Sequence, residues 1–356
     1  MTMNRLLNRH RPSPGYAFVK ALTAIVILSV VIQGSFYLSS FSQTGRFDDS
    51  FLPPEKPEEH LKPSHVAFGL SGNNPGFFDE FEVALKSVLL NAPLDRNLSV
   101  HILADNDALT ALNDLYNKTD LAKWVSRNQI QIQSYNVSSR LKDMESVIMH
   151  TWEPHFPEVK TLWQVSFHTM GTYFRLFAHW FLPATAEYVL YMDTDVTILA
   201  NLGELWQMIE AKPDVLFHWG RGMCAGFLAM KVSRIDEIWA LARKAPLAEI
   251  RKKGRNRGID DQLIFIAVNE THPNEVNRLP DGYDLTHSLK WHSSNYPYHE
   301  VYPEAFMLHH NANGNSPLPY WNSSRIIQQH HDSWGLMEYY IHLPWTWARF
   351  FARSQL

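Results

Sequence analysis

Cysteine is all but absent from this chain. Cys224 is the only one in 356 residues, so no disulfide can form within it. Stability must come from the core, and a chain this long can bury one large enough. Positive charge is not in excess either. The formal net charge is −4 and only 19% of residues are charged, which argues against a nucleic-acid binder with its basic face. No internal repeat is visible. Apolar residues are abundant: 45% of the chain is hydrophobic and 13% aromatic, the composition of a folded protein. Most of the aromatics are expected in the core, although such a surplus also suits stacking against sugar rings.

Charge is missing entirely between Lys20 and Arg46. The run Ala21 to Leu38 is mostly apolar and long enough to span a bilayer as one helix. Arg5, Arg9, Arg11 and Lys20 precede it, and Asp48, Asp49, Glu55 and Glu58 follow. The positive-inside rule then predicts a cytosolic tail (residues 1–20), a transmembrane signal anchor (21–40) and translocation of the rest. A cleaved signal peptide is the rival, but the apolar run is long for one and no Ala-x-Ala-like site follows. Residues 41–64 carry Pro53, Pro54, Pro57 and Pro63 among acidic side chains and read as an extended stem. Residues 65–356 are then a lumenal domain. Five Asn-x-Ser/Thr triplets, at Asn97, Asn117, Asn136, Asn269 and Asn322, agree with a secretory route in segments that look like loops. The expected setting is a single-pass type II protein of the Golgi or endoplasmic reticulum membrane.

Within that domain the pattern predicts a strand at His65–Ser71, a helix at Phe78–Leu90, a strand at Leu98–Leu103, a helix at Asn106–Leu115 and a strand at Ile130–Tyr135. This alternation is the rhythm of a mostly parallel α/β sheet. Arg140–Val165 is irregular or short helices. A helix at Met170–Trp180, closed by Pro183, feeds a strand through Val189–Met192. Further helices are expected at Asn201–Ile209, Asp236–Lys244 and Asp261–Val268, with a short strand at Phe227–Val232. The aromatic-rich segment Trp334–Phe351 reads as a terminal amphipathic helix.

The strand Val189-Leu190-Tyr191-Met192 runs into Asp193-Thr194-Asp195. Residues i and i+2 of an extended chain point to one side, so the two carboxylates can converge at the strand's C-terminal end. Open α/β sheets bind their ligands there. Two hard carboxylates at that spacing suit Mn²⁺ or Mg²⁺ facing a phosphate. Four other clusters could complete such a site. His309-His310-Asn311-Ala312-Asn313-Gly314 offers an imidazole and a Gly-containing turn. Arg175, on the helix before the Asp pair, could reach a diphosphate with its planar fork, or could lie on the helix surface. Asp260-Asp261-Gln262 stands at a helix start, where acids serve as caps but could also hold sugar hydroxyls. Cys224-Ala225-Gly226 enters a strand through small residues, which suits close backbone approach or simple packing.

In this order the pieces resemble the family-8 retaining glycosyltransferases, closest to the xyloside and glucoside xylosyltransferase branch. The resemblance runs from about His65 to Pro317 and is strongest from Arg175 through Asp195. It implies a GT-A (Rossmann-like) fold, a UDP-sugar donor and Mn²⁺, with Mg²⁺ as the alternative ion. By that match Asp193, Asp195 and His309 hold the metal, with His310 an out-of-register alternative. Gly69, Leu70, Ser71, Arg175, Thr194 and Gly226 line the donor. Asp261 and Gln262 are the catalytic pair, the acid orienting the donor sugar and the amide near its anomeric carbon. The chain departs from the family's usual Asn-Ser-Gly at Cys224-Ala225-Gly226, from an Asp at Leu263, and from a basic residue after His309. The expected activity is retaining transfer of xylose or glucose to a glycan or glycoprotein acceptor. The alternatives are an inactive relative that binds glycans or a partner enzyme, and a membrane scaffold whose Asp pair is coincidental.

Overall fold

The computed structural model describes residues 61–93, 96–118, 131–161, 170–220, 224–254, 258–280, 283, 285–286 and 306–309. The expected tail and anchor, most of the stem, the Trp334–Phe351 segment and His310 lie outside the described residues. Among the described residues no helix is long and apolar enough to cross a membrane.

Strand β1 (Lys62–Leu70) begins three residues ahead of the expected His65, with Pro63 near its start, where a strand tolerates the missing N–H. Helix α1 (Pro75–Leu90) follows. Asn74 caps it by accepting from the Gly76 N–H, and Pro75 occupies its first turn. Strand β2 (Arg96–Ala104), helix α2 (Asn106–Lys118) and strand β3 (Gln131–Asn136) complete the expected alternation. The stretch expected to be irregular contains a 12-residue helix, α3 (Leu141–Trp152), which buries Met144, Ile148, Thr151 and Trp152. Met170–Trp180 is helical as expected but tightly wound, with i→i+3 geometry. Then come β4 (Tyr188–Met192), β5 (Val196–Ile198), α4 (Leu202–Glu210), β6 (Phe217–Trp219) and β7 (Phe227–Lys231). The described chain continues through α5 (Ile235–Lys244), α6 (Leu247–Lys253), α7 (Asp261–Thr271), β8 (Val276–Arg278), β9 (Leu285–Thr286) and β10 (Met307–His309).

Seven strands form one sheet in the order β3-β2-β1-β4-β7-β6-β8. The pairs from β3 to β4 and the β6–β8 pair are parallel, whereas β7 runs antiparallel to both its neighbours. Strand β4 is buried along its whole length, and its side chains alternate between two cores. Val189 and Tyr191 face the layer built from α3, the Met170–Trp180 segment, α5, α6 and α7. Tyr188, Leu190 and Met192 face α1, α2 and α4 on the other side. A strand covered on both faces needs apolar residues at every position, which is why Tyr188–Met192 reads as a continuous run.

The chain steps outward from β1 to β2 and β3, then returns to lay β4 on β1's other side. Such a reversal opens a crevice between the C-terminal ends of the two central strands. Gly69, Leu70 and Ser71 end β1 there, beside Asp193 at the end of β4. A second, three-stranded sheet in the order β5-β10-β9 closes the crevice. Its β10–β5 pairing sets His309 opposite Val196, one residue beyond Asp195. Of the Asn-x-Ser/Thr sites expected in loops, Asn97 lies in β2, Asn117 in α2, Asn136 at the end of β3 and Asn269 in α7, while Asn322 is outside the described residues.

Candidate active site

The two carboxylates of the Asp193-Thr194-Asp195 turn and the imidazole of His309 meet at the mouth of this crevice. One ligand atom from each lies within 4.8 Å of the others. Nε2 of His309 is 3.3 Å from Oδ1 of Asp195. Asp193 divides its oxygens. Oδ1 accepts from Nη2 of Arg175 at 2.6 Å, while Oδ2 is turned toward Gly226 and the His309 ring. The Asp193 N–H donates to the Gly226 carbonyl at 2.8 Å, which locks the turn onto the start of β7. Carboxylate, carboxylate and imidazole are ligands suited to a divalent cation such as Mn²⁺. Gly226 leaves the space the cluster needs. A methyl group there would sit 2.4 Å from Cε1 of His309 and 2.8 Å from Oδ2 of Asp193.

Arg175 lies behind the turn instead of open on the crevice. Its side chain is only 1% exposed, so it reaches other groups through its partners. Nε donates to the Thr172 carbonyl at 2.8 Å and sits 3.0 Å from Oδ2 of Asp261, and the guanidinium stacks over Tyr191 at 4.9 Å. Burial alone would lower its pKa, but Asp193 and Asp261 more than offset this and hold it firmly charged. Among the described residues the buried Nη1 has no hydrogen-bond partner.

The acidic pair at the α7 start divides its work. Asp260 is the cap, accepting from the Leu263 N–H at 3.1 Å. Asp261 points the other way, to Arg175. Burial pushes Asp261 up to about 7, Arg175 opposes this, and Asp260 and Asp193 add to it. Gln262 follows it, half-buried, in the first turn of α7.

At the β1 end, Leu70 differs from the expectation in one respect. Its side chain is fully buried in the core beneath α1, and its carbonyl accepts from the Asp105 N–H at 3.3 Å. Gly69 packs so closely that a Cβ would meet the Tyr191 hydroxyl at 1.9 Å. Ser71 donates through Oγ to Asp105 at 2.7 Å, and the Gly72 N–H donates to the same carboxylate at 2.9 Å. Asp105 also accepts from the Ala108 N–H at 2.8 Å, capping α2. One carboxylate thus ties the ends of β1 and β2 together. An Asp between a strand and a helix is a cap signal in the sequence, but its tie to Ser71 and Gly72, more than thirty residues away, is not. Thr194 is buried within the turn, and Cys224 offers its carbonyl to the Trp219 indole N–H at 2.7 Å.

Residues 65–219 match the model of glycosyl transferase family 8. Human xylosyl- and glucuronyltransferase LARGE2 is 25% identical over 66% of this chain, and the chain spans about a third, 32%, of that relative's length. Mouse xyloside xylosyltransferase 1, apo form, superposes with a TM-score of 0.51 at 13% identity, covering 72% of this chain and 100% of the other. Glycosyltransferase GlyE of Streptococcus pneumoniae TIGR4 gives 0.50 at 14%, covering 83% and 64%. At these identities the two structures bear on fold alone: a mixed α/β architecture of GT-A type. Over residues 65–219, rather less than half of its length, this chain is similar to the glycosyltransferases of family 8.

Proposed function

We propose that this protein transfers a single sugar, xylose or glucose, from a UDP-sugar to a glycan or glycoprotein acceptor, with retention at the anomeric carbon and with Mn²⁺ bound. The observation that carries the reading is the convergence of Asp193, Asp195 and His309 at the crevice between β1 and β4. The xylosyl activity in the name of the human relative supports the choice of donor. An anchor at residues 21–40, a stem at 41–64 and a lumenal domain from 65 onward, in the Golgi or endoplasmic reticulum, belong to the same reading.

Asp193, Asp195 and His309 would hold the cation, which when bound would neutralise charge on the donor diphosphate. Arg175 aims Asp193 with one nitrogen and approaches Asp261 with another. Gly226 gives the donor backbone-close access beside the ligands, and the Ser71–Gly72 turn, fixed by Asp105, shapes the nucleotide end. Asp261 stands 3.0 Å from Arg175 and is buried, so it is better placed to orient sugar hydroxyls than to attack carbon. Retention then follows a same-face path. The sugar–diphosphate bond breaks, the acceptor oxygen bonds to the same face of the anomeric carbon, and its proton leaves on the departing phosphate. Gln262 is polar support beside that carbon.

The reading is tested by UDP release from UDP-xylose, UDP-glucose and UDP-glucuronic acid with Mn²⁺ and with chelator. Metal-dependent release from one of them, lost in Asp195→Asn, is expected. Undiminished release by Asp195→Asn in chelator would overturn the metal assignment.

A further inference from the structure

Helix α1 carries a carboxylic acid that its own packing does not explain. Glu80 is 1% exposed, among the core side chains Phe78, Phe81, Ala84 and Leu85 of the same helix. Neither carboxyl oxygen makes a hydrogen bond of ordinary geometry. Among the described residues no salt bridge reaches it; the neighbouring Lys86 pairs with Glu82 at 2.6 Å. A buried carboxyl this poorly paired costs about 1–3 kcal/mol, and a leucine of similar size would not. Such costs concentrate at functional sites.

The helix's docking shows what Glu80 faces. Ser87 Oγ accepts from the Ile198 N–H at 3.0 Å and pins α1 to β5. Seven residues toward the N-terminus, two turns on, the same face of α1 presents Glu80, about 10 Å away along the axis. Three residues back from Ile198 along an extended strand, also about 10 Å, stands Asp195. This sets Glu80 level with the Asp193–Asp195 turn, and the Thr194 hydroxyl and the Asp195 carboxylate are the site groups that bear on it. Burial, with Asp195 adding to it and the Thr194 hydroxyl opposing it, pushes the Glu80 carboxyl up from its ordinary value.

We propose that Glu80 is a positioning residue of the metal site, its carboxyl set against the Asp193–Asp195 turn so that it fixes Thr194 and the aim of Asp195. The inference rests on the reading that Asp193, Asp195 and His309 hold a divalent cation, and it deepens that reading. Groups that orient metal ligands from behind typically contribute ten- to a hundredfold in affinity.

The test is an electron paramagnetic resonance titration of Mn²⁺ against wild type, Glu80→Gln, Glu80→Leu, Thr194→Val and the Glu80→Leu/Thr194→Val double variant, with melting curves in chelator. Glu80→Gln, which keeps a hydrogen-bonding head of the same size, should bind within threefold of wild type. Glu80→Leu should lose tenfold or more yet melt no lower than wild type. The double variant should lose no more than Glu80→Leu alone, because both act through one contact. Wild-type affinity in Glu80→Leu and Thr194→Val would overturn the role of Glu80 and leave the metal site standing. No binding by wild type would overturn both.

Discussion

Replacing Gly226 with alanine should disable the metal site while the fold survives. The new methyl group would lie 2.4 Å from Cε1 and 2.9 Å from Nε2 of His309, and 2.8 Å from Oδ2 of Asp193. Ordinary van der Waals contact begins at 3.4 Å, so the imidazole must retreat by about 1 Å. It has little room to do so, because its side chain is 2% exposed and its backbone is paired with β5. Overpacking of this kind costs about 1–3 kcal/mol, a fall in melting temperature on the order of 5 °C. Metal ligands tolerate displacements of only about 0.2 Å, so Mn²⁺ affinity should fall at least tenfold. Calorimetric titration of Mn²⁺ in parallel with thermal melting separates the two effects. Gly226→Ala binding Mn²⁺ within threefold of wild type would refute the placement of Gly226 against the ligands.

Three further outcomes follow from buried groups. Arg175→Met should cost about 3–5 kcal/mol in chemical denaturation, since it leaves Asp261 buried without its counter-charge; a cost under 1 kcal/mol would contradict that pairing. Asp105→Ala should cost about 1–2 kcal/mol through the lost α2 cap and should also weaken UDP binding by releasing Ser71 and Gly72. The buried imidazoles His101 and His218 should withdraw stability as pH falls from about 6.5 toward 4. The carboxyl groups of Asp261 and Glu80, raised in the fold, return stability over the same window, so the histidine effect is read as the difference between wild type and His101→Gln. Burial holds both His101 and His218 down to about 4, so below pH 6.5 the unfolded chain takes up protons that the folded one refuses. Each removes on the order of 3 kcal/mol by pH 4, measurable as a widening gap between the midpoints of wild type and variant. His65 is lowered in the same direction. It shares its Nδ1 with Nε2 of His101 at 2.9 Å, and His101 meets the Tyr135 hydroxyl at 3.0 Å. Midpoints of wild type and His101→Gln that move in parallel between pH 7 and 4 would contradict the burial of this chain of rings.

The centre of the molecule was legible because its chemistry is local. Tyr188–Met192 is apolar at every position since both its faces are covered, and the carboxylates it delivers are two residues apart. Strands of three residues, such as β5, β6 and β8, carry too few positions to show a period. Helix α3 escapes for a different reason: Met144 and Ile148 mark its buried face, but Lys142, Asp143 and Glu145 break the apolar run. The long-range facts were beyond reach. Nothing near Arg175 announces that it will lie behind Asp193 and against Asp261. The choice of His309 depends on the register of β10 against β5, a pairing across more than a hundred residues.

The most direct test is calorimetric titration of UDP into the domain, in Mn²⁺ and in chelator, for wild type and Asp195→Ala. The account predicts binding only by wild type and only with Mn²⁺, with Asp195→Ala still folded. Equal UDP binding by both proteins in chelator would contradict the claim that Asp193, Asp195 and His309 hold the ion through which the donor is bound.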